Sequence, residues 1–232
     1  MGKQIIIIVS LFFLLQGCSE FLVVEPDRQV SIVEQFSTRE GVAQAVNGMY
    51  YSFQKLYAGK VFYYPDLMGG NMAFTPASHD YILEVPKGLD IEQVYEFRDL
   101  EDDSDLEVFY ESAYGLINEA DLVIEHVDDF DLFTTEERNQ IVAEALTCRA
   151  YVHYMVTLVY AQNYSYTPGG SHPGIVYCDK TQVAGVDYPS RRTLAESYAL
   201  MKADMERALS LFTGTQALPY GPSYSYFNAL TA

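Results

Sequence analysis

The chain has 232 residues, with 14 basic and 32 acidic side chains, a net charge of −18 and 49% hydrophobic residues. So acidic a surface argues against nucleic-acid partners, whose phosphates demand a basic face, and against adhesion to anionic lipid by charge. At this apolar content the acidity does not imply disorder, and the chain is long enough for one or two domains with a core.

The chain opens with one cation, Lys3, followed by an apolar run from Ile5 to Leu15. A membrane span needs roughly 20 apolar residues, so this run reads as a secretory signal. Leu15-Gln16-Gly17-Cys18 follows, with a small residue directly before the cysteine. It resembles the lipobox of bacterial lipoproteins. That resemblance implies removal of residues 1–17 as a signal peptide and a diacylglycerol on the Cys18 thiol. Loss of Lys3 then leaves 13 basic against 32 acidic side chains, a net −19, so the acyl chains would have to hold the protein to its membrane. Residues 18–36 hold Pro26 but show no periodicity, and are expected to form an extended tether.

Four segments then announce helices. Ser37-Thr-Arg-Glu40, Ser104-Asp-Leu-Glu107, Thr134-Thr-Glu-Glu137 and Thr193-Leu-Ala-Glu196 are all capping boxes, in which the hydroxyl accepts from the N3 amide and the glutamate reaches back. Apolar residues recur behind each at steps of three and four. The first helix, about 39–57, places Val42, Ala45, Val46, Met49, Phe53 and Leu56 on one stripe. The second places Phe109, Ala113, Leu116, Ile117, Ala120, Ile124 and Val127 together. The third shows Ile141, Ala145, Cys148, Val152, Met155 and Val159. The fourth shows Leu194, Tyr198, Met201, Met205, Ala208, Leu209 and Phe212. One buried stripe per helix predicts an all-α fold of tetratricopeptide-like helix pairs.

Long irregular loops, 58–103 and 161–192, separate these helices and are rich in Gly, Pro and Tyr. Irregular loops of such length in compact domains usually serve a purpose, and binding residues favour loops on rigid scaffolds. The last residues, Tyr224 to Ala232, look like the start of a fifth helix without a stop signal. They suggest a domain over 37–232 that is cut short at its C-terminal end.

Motifs for chemistry are sparse. No metal-binding histidine pair, nucleophile elbow, phosphate loop or CxxC pair occurs, so no enzyme activity, metal or cofactor is expected. The acidic run 99–107 puts Ser104 where a calcium loop requires glycine and Tyr110 where it requires glutamate, and reads as an acid-rich helix start. Cys148 lies on an apolar stripe and is expected as a buried free thiol, with pairing to Cys178 as the alternative. Tyrosine is the distinctive residue, with 20 Tyr and 13 Phe but no Trp. An amphipathic ring can stack on the C–H face of a sugar while its hydroxyl bonds a sugar hydroxyl. The loops hold Tyr177 and Tyr188 besides the candidates for glycan contact, Tyr63, Tyr64, Phe74, Tyr81, Tyr164 and Tyr166.

One order of features carries a family resemblance. After the lipobox, tether and first helix comes Tyr110-x-x-x-Tyr114-x-x-Ile117-Asn118-x-Ala120-Asp121. Then come Ala143-Glu-Ala-Leu-x-x-Arg149-Ala150-Tyr151, Gly174-Ile-Val-Tyr177, Pro189-Ser-Arg191 and Thr193-Leu-Ala-Glu196-x-Tyr198-x-x-Met201-x-x-Asp204. The pattern resembles the N-terminal portion of the SusD/RagB family of Bacteroidetes outer-membrane lipoproteins. The resemblance implies a surface-exposed nutrient-binding protein that forms a lid on a TonB-dependent, SusC-like outer-membrane transporter and captures glycans, or sometimes peptides. In that family a C-terminal region supplies much of the ligand contact. The alternative is a helical scaffold that docks a partner protein and binds no ligand.

Overall fold

The computed structural model describes residues 31–72, 104–129, 131–214, 218 and 226–232. Signal residues 1–17, Cys18, tether residues 19–30, Phe74, Tyr81 and the acidic residues 99–103 lie outside the described residues. The chain divides into units 1–34 and 35–232. In the first, the Ser31 hydroxyl accepts from the Glu34 amide at 3.2 Å at the start of helix α1, Ile32–Phe36, whose last two residues belong to the second. The end of the expected tether is therefore helical, because a serine start and a buried phenylalanine favour a closed turn over extended chain. In the second unit, Phe36 stacks on His126 with ring centroids 4.9 Å apart.

Helix α2 spans Arg39–Tyr57. Its cap is Thr38, not Ser37: Thr38 Oγ1 accepts from the Gly41 amide at 3.0 Å. The register moves by one because Gly41 sits against the Gln35 carbonyl, where a Cβ would lie 1.8 Å from that oxygen. A 3₁₀ turn, Lys60–Tyr63, leads into α3, Tyr64–Met68. This part of the expected 58–103 loop is thus helical: Val61, Tyr64 and Leu67 recur every three residues and are all buried. Helix α4 spans Ser104–Glu125, α5 Thr135–Tyr160 and α6 Leu194–Leu211. Two of the four capping boxes are complete, Thr134 with Glu137 and Thr193 with Glu196. The box at Ser104 falls at the edge of the described residues.

Contacts along the helices fix their directions. Phe36 meets His126, Ser52 meets Glu119 and Lys60 meets Asp105, so α2 and α4 are antiparallel. Leu106 meets Tyr160 and Asp121 meets Arg149, so α4 and α5 are antiparallel as well. Tyr154 against Tyr198 and Arg149 against Asp204 make α5 and α6 the third antiparallel pair. Among the described residues there is no strand, only one bridge between Pro173 and Thr193.

The single-stripe expectation fails for α5. Residues Gln140 to Ala150 are buried all the way round, because α4, α6 and α2 all pack against this helix. Its buried polar groups are satisfied accordingly. Glu144 accepts from the Tyr50 hydroxyl at 2.7 Å and the Gln140 amide at 2.8 Å. On α6 the buried line is Leu194, Ser197, Met201, Asp204 and Ala208, and Leu209 is half exposed. Polar Ser197 and Asp204 occupy that line because they have partners there, described below. Residues 228–232 close a single turn around the Asn228 side chain where a fifth helix was expected. Cys148 and Cys178 are both free and buried.

Candidate functional site

A buried ionic cluster joins α4, α5 and α6 to the 161–192 loop. Arg149, midway along α5, grips Asp204 of α6 with two bonds, Nε to Oδ2 at 2.7 Å and Nη2 to Oδ1 at 2.6 Å. Its Nη1 bonds Asp121 of α4 at 2.6 Å and the Asp179 carbonyl at 3.1 Å. The planar fork suits this bidentate grip, which a lysine could not reproduce. Tyr177 donates its hydroxyl to Asp204, and its ring stacks on His153 at 4.0 Å. His153 Nδ1 donates to the Arg149 carbonyl, leaving Nε2 to accept from the Cys178 amide at 3.1 Å. Those two partners require the neutral ring, and burial lowers its pKa to about 3. Burial also raises Asp121 to about 7, against the opposing pull of Arg149. Two carboxylates share one guanidinium here, and Asp121 Oδ2 is buried with no hydrogen-bond partner.

This cluster holds one end of a loop, and α4 clasps the rest. The Thr181 amide and hydroxyl donate to the two carboxylate oxygens of Glu125, at 2.8 and 2.6 Å. The Gln182 amide donates to Asn118 Oδ1 at 2.7 Å. Nearer the N-terminus of α4, the Tyr114 hydroxyl donates to the Val176 carbonyl at 2.8 Å. Between α4 and the loop lies a groove of about 510 Å³, within the usual ~300–1,000 Å³ of small-ligand sites. Tyr110, Tyr114, Ile117 and Asn118 form its helical wall; Val176, Cys178, Gln182, Val183, Asp187 and Tyr188 lie opposite. Tyr188 is 83% exposed and Tyr110 41%, so aromatic faces are open to a ligand.

The aromatic candidates from the loops fall in several places. Tyr64 is a core residue, 8% exposed, so its expected ligand role is corrected: it lies on the buried side of α3 with Leu67. Tyr63 is exposed at 45% on the preceding 3₁₀ turn, away from the groove lining. The Tyr164 ring rests on Gly170, where a Cβ would come within 2.7 Å of it, and meets Tyr198 edge-on. Tyr166, 67% exposed, stands edge-on to His172 in a second, more polar hollow of about 320 Å³ that also holds Tyr160 and Arg191. Tyr160 meets Tyr110 edge-on at 5.3 Å, so the two hollows share an aromatic wall. Sequence reasoning missed Tyr110, Tyr114 and Asn118 as a lining. Their spacing of four residues marks a second stripe on α4, beside the apolar one. Among the described residues no cluster of His, Cys, Asp or Glu is placed to hold a metal ion, and no helix is long and apolar enough to cross a membrane.

A SusD-like family model, described as "Starch-binding associating with outer membrane", matches residues 20–221. Among curated proteins none matches the chain. Two solved structures are similar in fold. One is a SusD superfamily protein from Bacteroides thetaiotaomicron VPI-5482, at 22% identity and a TM-score of 0.64, covering 84% of this chain and 40% of that one. The other is a SusD-like carbohydrate binding protein from Bacteroides vulgatus ATCC 8482, at 16% identity and a TM-score of 0.57, covering 84% of this chain and 39% of that one. The chain thus spans about two fifths of the length of these structures. Its helices and the model match over 20–221 agree: this chain belongs to the SusD-like family.

Proposed function

We propose that this protein is a glycan-binding lipoprotein of the outer-membrane surface, anchored through Cys18. It acts as a lid with a TonB-dependent, SusC-like transporter in the uptake of polysaccharides or oligosaccharides, as a binding protein without catalysis. The observation that carries this reading is the groove between α4 and the 176–189 loop, walled by Tyr110, Tyr114 and Tyr188. A sugar ring offers apolar C–H faces and polar edges, which match exposed tyrosine rings beside amide and carboxylate groups. The starch-binding description of the family and the name of the similar Bacteroides vulgatus protein support a carbohydrate ligand.

Calorimetry over a panel of neutral oligosaccharides, starch fragments included, tests the ligand. Binding that falls when Tyr110 and Tyr188 become alanine supports the reading. A chain that co-purifies with a transporter yet binds no glycan would favour the scaffold alternative, and release of reducing ends would overturn the non-enzyme reading. Metabolic labelling with a palmitate analogue tests the anchor, since a Cys18→Ser variant that still labels contradicts it.

A further inference from the structure

The groove's hydrogen-bonding groups are unequally committed. The Tyr114 hydroxyl donates to the Val176 carbonyl and the Tyr188 hydroxyl to the Gly185 carbonyl at 3.2 Å. Gln182 Nε2 donates to the Lys180 carbonyl at 2.7 Å. Asn118 is different. Its Oδ1 accepts from the Gln182 backbone amide, and its Nδ2 has no hydrogen-bond partner among the described residues. A backbone N–H can only donate, so the carboxamide cannot turn over without losing that bond. The same contact that ties down the loop therefore fixes the carboxamide of Asn118, a residue of the groove wall together with Tyr114 and Ile117, with both N–H donors of its Nδ2 uncommitted.

We infer that Asn118 is the specificity-determining donor of this groove, holding an acceptor oxygen of a neutral sugar while the tyrosine rings cover its C–H faces. The inference rests on the groove being the glycan site, and it deepens that reading by naming the atom that selects. A ligand with hydrocarbon or an ammonium group at that position would leave the donors unpaired or repelled. Leaving a polar group unpaired is what makes such sites selective, beyond what apolar contact achieves.

Two variants of the full chain separate donation from loop anchoring. Asn118→Asp keeps the acceptor for Gln182 and replaces the donors with a second acceptor. Thr181→Val loosens the same loop at Glu125 and leaves Asn118 intact. Loop anchoring is read by the rate of tryptic cleavage after Lys180, which is exposed, with 65% of its side chain accessible. Affinity is read by calorimetry with malto-, xylo- and mannoheptaose. The inference predicts at least a tenfold loss of affinity in Asn118→Asp at wild-type cleavage rate, or a loss well beyond that of Thr181→Val if cleavage quickens. Affinity within twofold of wild type overturns it, as does a loss no larger than that of Thr181→Val at equal cleavage rate. If Asn118→Asp is silent while Tyr188→Ala loses binding, only the role of Asn118 fails. If Tyr188→Ala is silent, or the wild type binds none of the three sugars, the groove reading itself fails.

Discussion

The Arg149 cluster and the tyrosine groove share the 176–189 loop yet differ in every physical respect. The cluster is closed: Asp121 and His153 are fully buried and Arg149 is 4% exposed. Its residues are bound to one another, so it has little left to offer a ligand. The groove is open, its Tyr110 and Tyr188 rings are exposed and Asn118 lines its wall. Of the residues in the family-like pattern, Asp121, Arg149, Tyr177 and Asp204 belong to the closed region, and Tyr110, Tyr114 and Asn118 to the groove wall. The first four secure α4, α5, α6 and the loop in one arrangement. The open region, next to them, is free to suit a ligand. The closed region thus fixes the scaffold, and the open region is the surface that the scaffold presents.

The largest effect should come from breaking the closed region. Arg149→Met strands two buried carboxylates, which typically costs about 3–5 kcal/mol. Urea unfolding should show that loss, and a drop below 1 kcal/mol would mean that the cluster does not organise the helices. Tyr177→Phe removes one buried hydroxyl from Asp204 and should cost about 1 kcal/mol by the same assay.

A subtler effect lies in pH. The His153 pKa is depressed, so its contribution is present above the unfolded value of about 6.5 and is lost as pH falls toward 3. The Asp121 pKa is raised, so its contribution is present below the unfolded value of about 3.9 and is lost as pH rises through 7. Asp121 faces Arg149 of α5, Asp204 of α6 and Glu125 of its own helix. Between pH 4 and 6.5 the two slopes oppose each other. Asp121→Asn removes the opposing slope, so its melting temperature should fall on acidification more steeply than that of the wild type. A parallel pair of curves would contradict the burial of the Asp121 charge. The smallest effect on stability belongs to the open region: Tyr188→Ala should stay within about 0.5 kcal/mol of wild type in the same unfolding assay.

Local signals were legible in the sequence where they were self-contained. Thr134 with Glu137 and Thr193 with Glu196 mark helix starts because a capping box needs four residues and nothing distant. Thr38 displaced Ser37 because Gly41 meets Gln35, a contact outside the box. The burial of α5 on all sides was hidden because its polar residues Gln140, Glu144 and Arg149 look solvated until their partners elsewhere in the fold are known. Tyr64 could not be sorted from Tyr63 because the short helix α3 was read as loop. The groove was the least legible feature, since Asn118 and Gln182 lie 64 positions apart and meet only through the fold. The Tyr110, Tyr114, Asn118 stripe was nevertheless present as a spacing of four.

The most direct test of the central claim is calorimetry of wild type and the Tyr110→Ala/Tyr188→Ala double variant against the neutral oligosaccharide panel, with unfolding curves of both. The account predicts saturable binding by the wild type, at least a tenfold loss in the variant, and nearly unchanged stability. Binding that survives in a stably folded variant would place the ligand elsewhere and contradict the division between a closed scaffold and an open groove.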